Sequence, residues 1–433
     1  MQDHPDHPNL REAPDRVEID VGSSKVPNRS NSPIDTIPRD FDEKALRQKR
    51  LARVREMMRD NDLDAVLLFD PYNQRYATGS RNMFGYFLRN STRYIYIPRQ
   101  GDVILFEYPG SAHISTWLET IDDSRESKVV FASVNGRDRD VLKPFAEEIA
   151  ALMRCDAGEG KRVGMDRCSY TLAMALQAEG LEVEDCLQMM LHTRRIKLQE
   201  EIACLALSMS AVETAVWNVE KKMDPGVSEN ELFAEMYHGV LMGGGEFIET
   251  RLLSSGPKTN PWFNEAGERR MRPGELLALD TDTIGVNGYY ADISRTFFCG
   301  PGRPSGYQKS LYKMAWEQIQ HNASIAKPGM SFREIADKAW KIPDRFFDLR
   351  YPSIIHGVGM HGEKPIIAHG CDLDRYTGDG TLETGMVVSV ESYIGEPGGS
   401  EGVKLEDQFL VTDSGLQPMS HYPFDERLLS REI

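Results

Sequence analysis

The stretch from Glu275 to Cys299, ELLALDTDTIGVNGYYADISRTFFC, decides the fold, because its apolar runs and central turn predict two paired strands. Asp280 and Asp282 are two residues apart, so on a strand their side chains leave the same face. Asp292 follows on the next strand, after the Ile-Gly-Val-Asn-Gly turn. Three converging carboxylates raise one another's pKa values, and a divalent cation is the natural compensation. The segment therefore predicts a metal site. The alternative is an ion pair between Asp292 and Arg295, with the other two carboxylates facing water.

Three further candidate ligands follow in the sequence. HGVG contains His356, VES contains Glu391, and KLED contains Glu406. An ionised glutamate inside an apolar strand is costly unless it is paired or bound to metal. Each residue alone could be a satisfied core residue, but the ordered set predicts a metal centre built from Asp280, Asp282, Asp292, His356, Glu391 and Glu406. Five carboxylates and one imidazole suit manganese, iron or cobalt better than a thiolate-seeking ion.

Outside this segment the chain divides into three parts. Residues 1–38 are rich in Pro, Asp, Asn and Ser, which predicts a flexible N-terminal arm. From 39 to 195, strand and helix patterns alternate, which predicts an α/β domain. Its strands include LDAVLLFD and a hairpin from Ser91 to Tyr108, and PYNQRYATG reads as a turn. Residues 196–433 mix helices with β-rich runs and form the predicted catalytic domain.

Composition narrows the possible partners. The 433 residues include 51 Lys plus Arg against 67 Asp plus Glu, a net charge of −16. This balance argues against nucleic acid or an anionic membrane and favours a small-molecule substrate. The six cysteines are scattered without a CxxC pair, and neither a signal-peptide pattern nor a run of about 18 apolar residues is found. We therefore expect a cytoplasmic protein with reduced thiols.

The order D-x-D, D-I-S-R-T, H-G-V-G, V-E-S and K-L-E-D resembles the dinuclear metal centre of the pita-bread family. That family includes methionine aminopeptidase, prolidase, aminopeptidase P and the metal-free creatinase. The resemblance implies a creatinase-like N-terminal α/β domain followed by a pita-bread catalytic domain. It also implies two divalent metal ions, held by the six residues above, and a homodimer.

Within the family, several segments are similar to the dimethylsulfoniopropionate lyases. They are GGGEFIETRLLSSGPKTNPWF (Gly243 to Phe263), LDTDTIG, KLEDQFLVTDSG and YPFD. This similarity implies β-elimination of dimethylsulfoniopropionate to dimethyl sulfide and acrylate, with iron as the metal and manganese, cobalt or zinc as alternatives. A hydrolase of the Xaa-Pro dipeptidase, aminopeptidase or creatinase type is the second hypothesis, and a non-catalytic binding protein is the third.

At the position of the catalytic base, the chain differs both from the similar lyases and from the family's peptidases. The similar lyases carry an Asp base six residues after the metal-binding histidine, and here that position is Gly362. His361 and Glu363 flank it and are the predicted catalytic residues. An unperturbed imidazole titrates near 6.5, whereas Glu363 needs a pKa raised by burial. The alternative for His361 is a surface loop histidine. The family's peptidases carry a histidine at the position of Glu363.

A sulfonium cation is attracted to aromatic faces by roughly 0.5 to 2 kcal/mol each. The predicted substrate contacts are Trp262, Tyr86 and Phe87, with Tyr72, Tyr76, Phe84 and Phe263 as further aromatic candidates. Ordinary core packing is the alternative for all of them. Asp166 and Arg251 are weaker candidates, because each could equally form a structural ion pair.

Overall fold

The computed structural model describes residues 41–129, 142–167, 169–378 and 380–429. The predicted arm, residues 1–38, lies outside these ranges. Among the described residues, one helix has the length and apolar composition needed to cross a membrane, and most of that helix is buried inside the protein.

The N-terminal half is built on a six-stranded sheet with the order β4-β3-β2-β1-β5-β6. Strand β1 pairs antiparallel with β2 and parallel with β5, and the predicted hairpin is present as β2 and β3. The strands are β1 (Ala65–Leu68), β2 (Tyr94–Pro98), β3 (Ile104–Glu107), β4 (Asp123–Glu126), β5 (Arg162–Met165) and β6 (Glu182–Asp185). The helices are α1 (Glu43–Asp60), α2 (Pro71–Thr78), α3 (Phe84–Phe87), α4 (Lys143–Asp156), α5 (Tyr170–Ala178) and α6 (Leu187–Arg194).

The prediction of a turn at PYNQRYATG is wrong, because this segment forms α2. The Asp70 side chain caps the helix by accepting from the amides of Tyr72 and Asn73, and Pro71 occupies the first turn, where its missing N–H costs nothing. Gly79 ends the helix in the left-handed conformation, with φ of 78°. Every residue of α2 is buried, including its polar ones, so the helix is an internal element.

The C-terminal half contains an eight-stranded sheet with the order β14-β13-β15-β16-β12-β9-β8, and β17 pairs with β16. A small three-stranded sheet has the order β11-β10-β7. The strands are β7 (Phe247–Ile248), β8 (Leu253–Ser255), β9 (Leu276–Asp280), β10 (Thr283–Ile284), β11 (Tyr290–Ala291), β12 (Ser294–Phe298), β13 (Ser353–Val358), β14 (Gly362–Ala368), β15 (Val387–Gly395), β16 (Gly402–Thr412) and β17 (Gly415–Pro418). The helices are α7 (Gln199–Lys222), α8 (Glu229–Met242), α9 (Gly306–Ile325), α10 (Phe332–Lys338), α11 (Asp344–Phe347), α12 (Leu373–Tyr376) and α13 (Glu426–Leu429).

The eight-stranded sheet has an apolar layer on each face. Because successive side chains on a strand point to opposite faces, Phe297 packs with residues of α7 and α8, while Phe298 packs with residues of α9. Both layers are fully buried, which holds the central strands firmly in register. The polar side chains in the middle of this sheet form the site described next.

Candidate metal centre

Neighbouring strands of the large sheet bring the predicted ligands together. Glu391 on β15 and Glu406 on β16 are direct cross-strand partners. Ser294 on β12 is the partner of both Asp280 and Glu406, and its hydroxyl oxygen lies 2.8 Å from Asp280 Oδ1 and 2.9 Å from Glu406 Oε2. Residues far apart in the chain thus become neighbours through strand register.

His356 closes this cluster from β13. Its Nε2 lies 3.1 Å from Glu406 Oε1, 3.6 Å from Asp292 Oδ2 and 3.7 Å from Glu391 Oε1. Ligand atoms of Asp292, His356 and Glu406 fall within 4.8 Å of one another, and so do those of Asp280, Asp282 and Asp292. The two groups share Asp292, as expected for two adjacent cation positions.

Asp282 reaches the cluster in a different way from the one predicted. Strand β9 ends at Asp280, and Asp282 has a left-handed backbone with φ of 34°. Tyr290 donates a hydrogen bond of 2.7 Å to Asp282 Oδ1, and Thr250 donates to Oδ2. Convergence of the two carboxylates therefore depends on a kink between β9 and β10 and not on strand alternation.

The alternative pairing of Asp292 with Arg295 is not formed. Arg295 points away from the cluster and donates to Asp407 Oδ1 at 2.7 Å. The backbone amide of Asp292 donates instead to Gln408 Oε1 at 3.0 Å, which leaves its carboxylate within the cluster.

Lys404 is a member of the cluster that the sequence analysis missed. Its ammonium nitrogen is fully buried and lies 2.8 Å from Glu406 Oε2, 3.0 Å from Glu391 Oε2 and 3.4 Å from Asp280 Oδ2. The ring of Tyr351 lies 4.5 Å from the same nitrogen. One fixed positive charge thus sits against three of the carboxylates.

Burial and mutual repulsion determine the electrostatics of the cluster. Burial, followed by the charges of neighbouring carboxylates, raises the pKa values of Asp280 and Asp292 well above the usual range. Burial also acts to raise the pKa of Glu406, but Lys404 and His356 lower it overall. Burial acts to lower the pKa of His356, but Glu391 and Glu406 raise it to about 9. In the described part of the chain, two basic side chains, Lys404 and His356, lie within 4.0 Å of these carboxylates.

The residues present fit divalent metal ions. The donor set is five carboxylates and one imidazole, which are the ligands that hard and borderline cations prefer. Burial and neighbouring carboxylates raise the pKa values of Asp280 and Asp292, and bound cations would favour the ionised forms of both side chains.

The structure makes Glu363 unsuitable as a base. Its carboxylate lies 3.1 Å from Lys197 Nζ and 3.2 Å from Arg194 Nε, and its side chain is fully buried. Burial acts to raise the pKa of Glu363, but these two cations lower it overall. A carboxylate held by two cations is a weak proton acceptor. Glu363 therefore forms buried ion pairs with Arg194 and Lys197.

His361 is not a surface loop residue. It is partly buried, its ring lies 4.6 Å from that of Tyr72, and its Nε2 is 2.9 Å from Arg194 Nη2. Because a guanidinium can only donate, Nε2 accepts this hydrogen bond and its lone pair is engaged. Burial and the charge of Arg194 lower the pKa of His361.

Glu249 is a second residue that sequence reasoning missed. It follows β7, and its amide donates to the Asp282 carbonyl oxygen at 2.8 Å. Tyr72 donates a hydrogen bond to its carboxylate, and within the described residues no Lys, Arg or His nitrogen lies within 4.0 Å of that carboxylate. Burial, with a smaller contribution from Asp282, raises the pKa of Glu249 to about 7. An acidic residue directly after the apolar pair Phe-Ile was the available signal.

Three aromatic side chains lie beside Glu249, and we call them the aromatic wall: Tyr72, Phe84 and Phe247. The ring centroids of Tyr72 and Phe84 are 4.7 Å apart, and those of Phe84 and Phe247 are 5.4 Å apart. Tyr72 and Phe84 come from the N-terminal half and Phe247 from the C-terminal half. The wall therefore joins the two halves next to the carboxylate cluster.

Most of the predicted substrate contacts lie elsewhere. Tyr86 and Phe87 pack against Tyr108 in the N-terminal half. Asp166 accepts from the amides of Phe69 and Asp70 and from Asn73 Nδ2, so it supports the start of α2. All three side chains therefore have packing or hydrogen-bonding partners within the N-terminal half.

The fourth predicted substrate contact, Trp262, lies near the carboxylate cluster. It is buried against Tyr393 and Ala278, with Tyr351 beside this group. Its indole Nε1 is buried without a hydrogen-bond partner among the described residues. Trp262 therefore lies on the Lys404 side of the cluster, since Tyr351 contacts both groups.

Comparison with known proteins gives the family. The model "Metallopeptidase family M24" matches residues 203–413, and "Creatinase/Prolidase N-terminal domain" matches residues 50–196. The chain is 33% identical over 392 residues to dimethylsulfoniopropionate lyase DddP of Roseovarius nubinhibens, covering 89% of this chain and 88% of that protein. It is also 33% identical to DddP of Roseobacter denitrificans, over 90% of this chain and 88% of the relative.

Peptidases are more distant relatives. The Xaa-Pro dipeptidase of Pyrococcus furiosus is 25% identical over 86% of this chain and 98% of its own length. Among solved structures, an Xaa-Pro dipeptidase from Bacillus anthracis superposes with a TM-score of 0.70 at 21% identity, covering 88% of this chain and 99% of that one. These findings confirm the predicted creatinase-like α/β domain followed by a pita-bread domain. The chain belongs to metallopeptidase family M24 and carries the creatinase-type N-terminal domain in front of its catalytic domain.

Proposed function

We propose that this enzyme is a metal-dependent lyase that cleaves dimethylsulfoniopropionate to dimethyl sulfide and acrylate. The observation that carries the proposal is the gathering of the six predicted ligands into one largely buried cluster, in a chain one-third identical to two such lyases along most of its length. Position 363, where the family's peptidases carry a histidine, holds a glutamate locked in ion pairs, which favours the lyase over the hydrolase.

The reaction is a β-elimination. A proton leaves the carbon next to the substrate carboxylate, its electron pair forms the C=C bond of acrylate, and the C–S bond breaks to release dimethyl sulfide. Asp280, Asp282, Asp292, His356, Glu391 and Glu406 would hold two divalent ions, which would supply positive charge against the negative charge that develops at the substrate carboxylate. Iron is our proposed metal, with manganese, cobalt or zinc as alternatives.

The aromatic wall and Glu249 suit the sulfonium end of the substrate. Faces of Tyr72, Phe84 and Phe247 provide cation–π contacts, and the adjacent carboxylate of Glu249 adds a negative charge. Glu249 follows β7, which pairs with β10, and its amide donates to the Asp282 carbonyl oxygen. The proposed sulfonium site therefore lies next to Asp282. The substrate carboxylate would then face the cluster while the cation faces the wall.

The structure favours Glu249 over His361 as the proton acceptor. Glu249 receives hydrogen bonds only from hydroxyl groups in the described structure, so its carboxylate is not neutralised by a cation. The Nε2 lone pair of His361 already accepts from Arg194. We propose that His361 positions Tyr72, whose ring it contacts.

The direct test incubates purified protein with dimethylsulfoniopropionate and measures dimethyl sulfide in the headspace. We expect release above a no-enzyme control and above a His356→Ala variant. Proline released from an X-Pro dipeptide panel, with no dimethyl sulfide, would replace the lyase by the hydrolase. Absence of both products from metal-loaded protein would leave the binding-protein hypothesis.

We further propose a domain boundary near residues 195 and 196, a cytoplasmic location and a homodimer acting on a small molecule. The two family models meet between residues 196 and 203, which supports the boundary. Nothing in the sequence or the relatives points to nucleic acid or a membrane. Light scattering of the purified protein would test the dimer.

A further inference from the structure

A second cavity, separate from the carboxylate cluster, lies where the two halves of the protein meet. It has a volume of about 290 Å³, and helices α1 and α2, the segment around Trp117 and residue Asn287 of the catalytic half line it. This volume is at the lower end for a small-molecule pocket, so an occupant must be small.

Four arginines line this cavity: Arg47, Arg50, Arg75 and Arg81. We call them the arginine pocket. Their positive charges are only partly matched by carboxylates in the described structure. Glu119 binds Arg47 through two hydrogen bonds of 2.9 and 3.0 Å, and Glu43 adds a contact of 3.4 Å. Glu246 is shared by Arg75 and Arg81, with a closest distance of 2.6 Å to each.

Arg50 is the arginine without a carboxylate. It is 4% exposed, and no carboxylate oxygen of the described residues lies within 4.0 Å of it. Its Nη1 donates to the Tyr289 hydroxyl at 3.1 Å, while its Nε has no hydrogen-bond partner in the described part of the chain. That hydroxyl in turn donates to Glu201, which also lies 3.6 Å from Arg53. A buried guanidinium with an unused donor is costly, and an anion in the cavity would satisfy it.

Two glycines hold the pocket in shape. Gly79 and Gly288 both have φ of 78°, a conformation that favours glycine. A Cβ at Gly79 would lie 2.3 Å from Arg47 Cδ, and one at Gly288 would lie 2.4 Å from Arg75 Nη1. The arginine side chains therefore lie flat against bare backbone, so the pocket is a built feature of the fold.

The remaining wall is apolar. Leu46, Ile114 and Leu118 line the cavity, and Trp117 has its ring 5.5 Å from the Arg47 guanidinium. From this combination of guanidiniums and apolar surface, we propose that the arginine pocket binds a small organic monocarboxylate, with its carboxylate on Arg50 and Arg81 and its hydrocarbon part against Trp117. Three glutamates, Glu43, Glu119 and Glu246, contact the four arginines, so the pocket has room for one monoanion, and the apolar wall favours an organic acid over inorganic phosphate.

The experiment is isothermal titration of the full-length holoenzyme with propionate and, separately, with inorganic phosphate. Arg81→Gln is the main variant, because Arg81 is more than half exposed and its loss leaves the core intact. We expect Arg81→Gln to weaken one class of propionate sites by about tenfold and Arg81→Lys to weaken it less. Trp117→Ala should weaken the same class, and Arg270→Gln, an exposed arginine of the catalytic half, should have no effect.

A propionate isotherm of Arg81→Gln that superimposes on wild type would overturn the proposal. Equal or tighter binding of phosphate would overturn the ligand class. Dimethyl sulfide release is not part of the readout, so this result is independent of the proposed lyase activity.

Discussion

Lys404 and Glu406 lie two residues apart on one face of β16, and the Lys404 ammonium nitrogen is 2.8 Å from Glu406 Oε2. Although burial acts to lower it, the neighbouring carboxylates raise the pKa of Lys404 well above its usual value. The cluster thus contains its own permanent cation, on the side occupied by Asp280 and Glu391.

Replacing this cation should destabilise the metal-free protein. Lys404→Gln leaves buried carboxylates uncompensated, so we expect the free energy of unfolding to fall by about 3 to 5 kcal/mol. Urea denaturation in the presence of a chelator measures this change, with the exposed Lys313→Gln as the control. Added divalent metal should recover part of the loss. An unchanged unfolding midpoint would show that Lys404 does not balance the cluster.

Metal content should depend on His356. Because its Nε2 is within 3.7 Å of three cluster carboxylates, His356→Ala should reduce the metal retained after dialysis by at least about half. Elemental analysis measures this, and His321→Ala is the matched control, since His321 is exposed and contacts only a backbone oxygen in the described structure. Equal metal content in both variants would contradict the assignment of His356 as a ligand.

The proton acceptor can be identified by comparing two variants. Glu249→Gln keeps the shape of the side chain but removes its basicity, so kcat should fall by about 10² or more with metal content unchanged. His361→Ala should lower kcat by less than about tenfold, because Arg194 engages the imidazole. Dimethyl sulfide release under saturating substrate measures both. The reverse order of effects would return the role to His361.

Recognition of the sulfonium group should depend on the aromatic wall. Phe84→Ala removes one aromatic face and should raise KM by about threefold to thirtyfold with little change in kcat. Tyr86→Ala, in the same short helix, is the matched control because Tyr86 packs against Tyr108 instead. A larger KM effect at Tyr86 than at Phe84 would contradict this placement.

Asp166 should affect stability and not turnover. Asp166→Ala leaves buried donors at the start of α2 without an acceptor, so the free energy of unfolding should fall by about 1 to 3 kcal/mol, with KM unchanged. The exposed Asp123→Ala is the control. A raised KM with normal stability would restore Asp166 as a substrate contact.

The pKa of Asp166 predicts how the stability of the protein depends on pH. Burial, and then the charge of Asp70, raises the pKa of Asp166 from 3.8 to about 6. The folded state therefore holds this proton more tightly than the unfolded state, and the associated stability is lost as pH rises from about 4 to about 6. The stability difference between wild type and Asp166→Ala should thus be about 1 kcal/mol larger near pH 5 than near pH 7.5. A difference that grows toward neutral pH would contradict the raised pKa.

The α2 helix shows why one sequence prediction failed. Its boundary signals, Asp70 and Pro71 at the start and Gly79 at the end, are those of a helix. Asn73, Gln74 and Arg75 interrupt the apolar pattern because they are polar yet buried, and their side-chain nitrogens donate to Asp166, to the Leu68 carbonyl oxygen and to Glu246. Hydrophobic periodicity cannot report polar residues whose partners come from other elements.

Glu249 and Lys404 were missed for a related reason. In the sequence each is one charged residue among many, beside an apolar run. Their roles arise because β7 pairs with β10, and β16 with β12 and β15, which places them against carboxylates from distant segments. Asp166 and Tyr86 were proposed as substrate contacts because sequence alone cannot tell which side of an element faces the site.

The sequence by itself determined the two-part architecture and which six acidic and imidazole side chains to expect in one cluster. Strand patterns and short ligand motifs are local properties, so they can be read from the order of the residues. Tertiary structure alone decided which charges balance those side chains, which carboxylate stays free of a cation, and where the arginine pocket forms. The physical reason is that the pKa and the reactivity of a buried group depend on what lies within a few ångströms of it, and strand register sets those neighbours.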